Sequence, residues 1–175
     1  MTGLWQYDGR VRPPFAEAPG EGQESVWDYP RPPAVVRDSR RVLVRRGELI
    51  VGETSRALKV METASPPTFY LPPQDVRSEF LKKEVDGSSF CEWKGRAHYF
   101  GLVTPTAKVD QVGWSYAHPR TGFEQLADYI AFYPAKLECF VEGERVRPQP
   151  GGFYGGWLTS DIVGPVKGGA GTQGW

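Results

Sequence analysis

The stretch SPPTFYLPPQDV, residues 65–76, sets the tightest limit on what this chain can fold into. Each proline fixes its own φ and lacks the N–H that a helix interior or an inner ladder needs. Pro66 and Pro67 on one side and Pro72 and Pro73 on the other bracket Phe69, Tyr70 and Leu71, so the segment reads as an edge strand or an extended crossing between turns. The constraint extends to the whole chain. Its 16 prolines and 21 glycines, with aromatics at 13%, suit short strands and tight turns better than long helices.

From Arg41 the run RRVLV, RRGE, LIVGET alternates and turns like a β-hairpin, with Gly47 supplying the positive φ of a tight turn. RALKVMET reads as a strand with Leu58, Val60 and Glu62 on one face, which puts a carboxylate among apolar side chains. Asp75 is placed to N-cap a short helical turn carrying Val76 and Phe80. DGSS, residues 86–89, reads as a turn, FCEWKGRAHYF as a strand, and VDQVGWSY, residues 109–116, as its return. In TGFEQLADYIAFY the spacing of Phe123, Leu126, Ala127 and Ile130 predicts one short helix, stopped by Pro134. LECFVEGERVRP closes the pattern as a last hairpin. The expected fold class is all-β with one short helix, built of curved antiparallel sheets.

A chain of 175 residues fits one domain. The expected organisation is a proline-rich N-terminal arm over residues 1–40, a β domain over 41–150, and a glycine-rich tail over 151–175. Phe153, Tyr154, Trp157 and Ile162 are too apolar for a free linker, so the tail is expected to pack on the domain as an irregular lid. Basic and acidic residues balance at 21 each, which argues against a non-specific nucleic-acid binder. Cys91 and Cys139 stand far apart and outside any CxxC pair, giving neither a zinc signature nor a disulfide framework. With no apolar core of signal-peptide length in MTGLWQYDGRVRPPF and no membrane-spanning run, the expected location is cytoplasmic.

The chemistry-bearing run is FCEWKGRAHYF, residues 90–100. As a regular strand it would place Cys91, Trp93, Gly95, Ala97 and Tyr99 on one side and Phe90, Glu92, Lys94, Arg96, His98 and Phe100 on the other. That reading separates Cys91 from Lys94 and makes Cys91 a small buried core residue rather than a nucleophile; a bulge at Gly95 would reopen the matter. Lys94 and Arg96 together suit an anionic ligand, against the alternative of a solvated strand face. His98 is a candidate ligand-binding group, against a purely structural role.

Glu62 would be costly to bury unpaired, so it is expected either to meet a cation, Lys94 or Arg96 if the strands are neighbours, or to carry a raised pKa. The glycine-rich tail with Lys167 invites comparison with a P-loop, but no GxxxxGK followed by Ser or Thr occurs. HExxH, GxSxG and histidine pairs at metal-ligand spacing are also missing, so neither a metal nor a cofactor is expected.

Taken in order, WDYPRPPAVVRDSRRVLV, METASPPTFYLPPQDV, FCEWKGRAHYF, GWSYAHP, AFYPAKLECFVEGERV and PQPGGFYGGWLTSDIVGPVKGGAGTQGW resemble the bacterial domain of unknown function 427 family, over about Trp27 to Trp175. The resemblance implies a curved-sheet domain of the β-tent kind. It places emphasis on Glu62, Pro66, Pro67, Tyr70, Cys91, Trp93, Lys94, Gly95, Trp114, Tyr116, Phe132, Tyr133 and Pro134. In that family a proline usually follows the cysteine, whereas here Glu92 stands there. The family also carries a nucleotidyltransferase-like label, for which this sequence holds no phosphate-binding motif.

Two functions are expected from these residues. The first is a small-molecule site for an anionic ligand, walled by Tyr70, Trp93, Tyr99, Trp114 and Tyr116 with Arg96 and His98 nearby. In its enzymatic form it performs cofactor-free acid–base chemistry on a small organic acid or carbonyl compound, with Glu62 as base and Lys94 as electrostatic stabiliser. The second is a non-catalytic interaction module in which arm and tail form the surface of a homodimer.

Overall fold

The structure, a computed structural model, describes residues 5–175. In chain order its strands are β1 (Glu24–Ser25), β2 (Ala34–Asp38), β3 (Val42–Arg46), β4 (Leu49–Thr54), β5 (Ala57–Met61), β6 (Thr68–Leu71), β7 (Leu81–Cys91) and β8 (Gly95–Val103). They continue as β9 (Lys108–Ser115), β10 (Ile130–Phe132), β11 (Glu138–Val141), β12 (Glu144–Arg145), β13 (Arg147–Pro148), β14 (Trp157–Leu158) and β15 (Ile162–Val163). Helical structure among the described residues is confined to 3-10 turns at Val26–Asp28, Pro73–Asp75, Ser78–Phe80 and Glu124–Leu126. No helix of these is long and apolar enough to cross a membrane.

Two antiparallel sheets carry the architecture: seven strands in the order β2-β5-β6-β10-β9-β8-β7, and four in the order β12-β11-β3-β4. The fold is all-β. The β3–β4 hairpin turns at Gly47, whose φ is +57°. The β11–β12 hairpin turns through Glu142 and Gly143 at φ +48° and +80°, the paired positive values that a two-residue hairpin loop requires.

Three local expectations give way to the sheet. Segment 65–76 forms not an edge strand but an inner one, β6, between β5 and β10. Its proline pairs lie just outside Thr68–Leu71, so the ladder loses no N–H. The expected helix over 121–133 is reduced to the turn Glu124–Leu126; Asp128, at φ +63°, ends it, and Ile130–Phe132 becomes β10. Residues 86–89 do not reverse the chain. They run on within β7, where the register against β8 shifts between Lys83 and Ser88. Asp75 closes a 3-10 turn instead of capping a helix, its carboxylate accepting from Thr54 Oγ1 at 2.7 Å and Arg56 Nη2 at 2.8 Å.

Strand alternation divides the core. Phe69, Leu71, Leu102, Ile130 and Phe132 face the four-stranded sheet and pack with Val42, Val44, Val51, Cys139 and Val141. The opposite face of the large sheet carries Leu58, Tyr70, Ala131, Trp114 and Tyr99 in one cross-strand row over β5, β6, β10, β9 and β8. A third cluster joins arm to tail: Val26, Trp27, Tyr29, Ala64 and Ile162 are buried together. There β1 pairs in parallel with β15, and Trp27 Nε1 donates to the Pro165 carbonyl at 3.0 Å. Ala34–Asp38, at the end of the proline-rich segment, pairs with β5 inside the large sheet.

Candidate functional site

The aromatic row is the floor of a cavity of about 400 Å³. Ala131, opposite both Tyr70 and Trp114 in register, leaves space in which Trp114 Nε1 donates to Tyr70 Oη at 3.2 Å. Tyr99 Oη and Ser89 Oγ share a hydrogen bond of 2.8 Å at the other end of the row. The tail forms the roof. A Cβ at Gly155 would stand 2.2 Å from Trp114 Cη2, so only glycine lets the main chain pass this close to the indole.

One wall is the turn inside FCEWKGRAHYF. The run is not one strand. β7 ends at Cys91, residues 92–94 form a three-residue turn, and β8 starts at Gly95, whose φ is +103°. Cys91 therefore lies opposite Gly95, and the chain reversal brings Cys91 and Lys94 to the same cavity. The expected separation of these two residues by strand alternation is overturned, because alternation holds only while the backbone stays extended. Cys91 is accordingly not a fully buried core residue; it is partly exposed and lines the cavity.

Lys94 reaches inward. Partly exposed, it lines the cavity with its ammonium 5.8 Å from the centre of the Tyr116 ring. No salt bridge to Lys94 occurs among the described residues. Burial opposes its charge, but Tyr70, Cys91 and Glu62 facing it outweigh that and hold its pKa above the ordinary lysine value. Burial pushes the phenols of Tyr70 and Tyr116 upward, so both stand beside the ammonium as neutral hydroxyls. Trp93 adds a donor without a partner: its Nε1 is enclosed and makes no hydrogen bond.

Of the sequence-predicted residues, Glu62, Tyr70, Trp93, Lys94, Trp114 and Tyr116 line this one cavity. Arg96 and His98 do not. Once the turn at 92–94 breaks the strand, Arg96 projects to solvent and donates to Ser88 Oγ at 3.3 Å, while His98 sits opposite Ser88 outside the cavity. Desolvation and the nearby Lys83, Arg96 and His118 push the His98 imidazole below its ordinary value. Glu62 follows the end of β5 and pairs with neither Lys94 nor Arg96; Arg31 Nε stands 3.2 Å from its Oε1.

Arg31 escaped sequence reasoning because it sits in the irregular arm. Trp5 lies under Arg31 and Lys167, with ring-centre distances of 4.2 and 4.5 Å, and its Nε1 donates to Glu92 Oε1 at 3.1 Å. Glu92 thus uses its charge on the arm. Among the described residues no group of three or more His, Cys, Asp or Glu is arranged to hold a metal ion.

Residues 34–143 match the family described as a domain of unknown function, DUF427. The chain belongs to the DUF427 family. The matched segment contains β2 to β11 with the aromatic floor and the Cys91–Lys94 turn, whereas Arg31 and the glycine-rich roof of this DUF427 member lie outside it. No curated protein matches the chain.

Proposed function

We propose that this protein binds a small organic anion, an aromatic carboxylate by the character of the walls, with Lys94 as its counter-charge. The observation that carries this reading is Lys94, which lines an aromatic-walled cavity and is free of any salt bridge among the described residues. A cation that faces a cavity and has no salt bridge is a ready partner for an entering carboxylate, because charge-assisted hydrogen bonds are the stronger ones. The neutral hydroxyls of Tyr70 and Tyr116 supply directional contacts, and about 400 Å³ suits one aromatic ring with a short acidic substituent.

Glu62 belongs at the mouth in this reading, because Arg31 occupies its Oε1. Binding, rather than acid–base turnover with Glu62 as base, is therefore the proposed function. The alternative of a dimer surface made from arm and tail would draw on Phe15, Phe153 and Tyr154, which are exposed, whereas Trp27 and Trp157 are buried within the chain.

Thermal unfolding with benzoate and with its neutral analogue benzamide tests the reading. Benzoate at about a hundredfold its dissociation constant adds about 2.7 kcal/mol, a rise of roughly 5–10 °C for a chain of this size. Benzamide gives a much smaller rise, and Lys94→Met abolishes the difference. Equal responses to the two compounds, or none to either, overturn the proposal.

A further inference from the structure

We infer that Trp5 is a latch across the cavity mouth, through which the N-terminal arm controls how fast a ligand enters and leaves. The inference rests on the reading of the cavity as a binding site and adds control of access to it. The lining divides by exposure. Tyr70, Tyr99, Trp114 and Tyr116 are buried and form the floor, whereas Trp5, Glu92 and Tyr154 line the cavity from its solvent side.

Trp5 joins the two rims. Its Nε1 donates to Glu92 Oε1 at 3.1 Å, in the turn that makes one wall. Its ring lies 4.5 Å from the ammonium of Lys167, in the tail, and Arg31 covers the same ring at 4.2 Å. The Lys167 ammonium is also 5.4 Å from the centre of the Tyr154 ring, so indole and phenol share one cation. A single arm side chain thereby bridges wall and tail where the cavity meets solvent.

The arm behind Trp5 is fixed, and its tip is held by weaker contacts. Tyr7 packs edge-on against the buried Trp27 at 5.1 Å, and its carbonyl accepts from Arg31 Nη1 at 2.8 Å. A Cβ at Gly9 would stand 2.1 Å from the Tyr29 oxygen, so the arm's main chain lies directly on the domain there. Trp5 is partly exposed and rests on two cation–π contacts and one hydrogen bond to a carboxylate, all of them weakened where water competes. Only Gln6 separates it from the anchor at Tyr7. Rotation of a residue or two swings the indole aside and leaves the rest of the arm in place.

Cys91 reports on the latch without any ligand. It is partly exposed, lines the cavity and packs against the floor, whereas Cys139 is fully buried between the sheets. The probe is N-ethylmaleimide, which is uncharged, with modified cysteines located by peptide mass mapping. Trp5→Ala is expected to label at Cys91 about tenfold faster than the native chain, the factor that two exposed cation–π contacts carry together. Cys139 stays unlabelled in both. Followed by stopped-flow fluorescence, the same variant takes up and releases benzoate faster by a similar factor, so its dissociation constant stays nearly the same. An unchanged rate at Cys91 overturns the latch. So does faster release of benzoate without faster uptake, which would make Trp5 a wall that touches the ligand. If Trp5→Ala exposes Cys139 as well, the variant has loosened the fold, and Glu92→Ala, which frees the indole but keeps it, decides. Faster labelling of Cys91 alone in Glu92→Ala supports the latch, and the native rate overturns it. If benzoate does not bind the native chain, the binding reading falls, and the labelling of Cys91 still decides the latch.

Discussion

Arg31 Nε stands 3.2 Å from Glu62 Oε1 at the cavity mouth, and the same guanidinium donates to the main-chain oxygens of Tyr7, Thr63 and Trp175 at 2.8, 3.0 and 3.0 Å. One side chain, only 3% exposed, thereby ties arm, sheet end and tail together. Arg31→Met would leave Glu62 without its cation and three carbonyl oxygens without a donor. The expected loss is about 3 kcal/mol, the low end for breaking a buried pair because Glu62 keeps some exposure. Glu62→Gln, which retains an acceptor, should lose about 1 kcal/mol. Urea unfolding measures both, and equal losses would contradict the hub assigned to Arg31.

Lys94 sets the pH dependence of binding. Burial opposes its charge, yet Tyr70, Cys91 and Glu62 raise its pKa in the folded protein. A cation with a raised folded pKa contributes fully below the ordinary lysine value of about 10.4 and loses that contribution as pH rises through the folded value. Benzoate affinity should therefore stay level between about pH 6 and 9 and decline only above about 10.4. Tryptophan fluorescence titrations across that range measure it; a decline between about pH 7 and 9 would assign the counter-charge to another group.

Much of the fold was legible because short turns leave strong marks. Gly47 and the pair Glu142–Gly143 announce their hairpins, and the alternation of Phe69, Tyr70 and Leu71 sends hydrocarbon and phenolic side chains to opposite faces. Ile130 and Leu126 misled because their helical spacing also fits a turn followed by a strand, and only the pairing with β6 and β9 decides between the two. The site was half legible for the same reason. Tyr70, Trp114 and Tyr116 follow from strand periodicity, but Lys94 and Cys91 meet through a three-residue turn that the continuous polar run conceals. Arg31 left no periodic mark, since its role depends on arm and tail folding back to meet it.

The roof depends on Gly155. A methyl group there would lie 2.2 Å from Trp114 Cη2 and 3.2 Å from Tyr133 Cδ1, so either the tail lifts or the indole shifts. Gly155→Ala should cost about 1–3 kcal/mol, as overpacking does, and weaken benzoate binding by disturbing the Trp114–Tyr70 floor. Gly169→Ala meets nothing within 4 Å and serves as the comparison from the same tail. Similar unfolding temperatures for the two variants would show that the roof yields without strain.

Trp93 distinguishes a ligand-binding donor from a packing residue. Its Nε1 is enclosed without a partner, so Trp93→Phe removes an unsatisfied polar group while keeping an aromatic ring at the wall. Deleting such a donor relieves its desolvation cost, which offsets the packing lost with the smaller ring, and stability without ligand should change by less than about 1 kcal/mol. Binding should respond in the opposite sense. If a carboxylate oxygen accepts from this N–H, the variant loses about 0.5–1.5 kcal/mol of affinity, roughly three- to tenfold in the dissociation constant for benzoate. Unfolding curves with and without benzoate separate the two effects. A variant that loses stability but binds benzoate as well as the native chain would return Trp93 to the role of a wall.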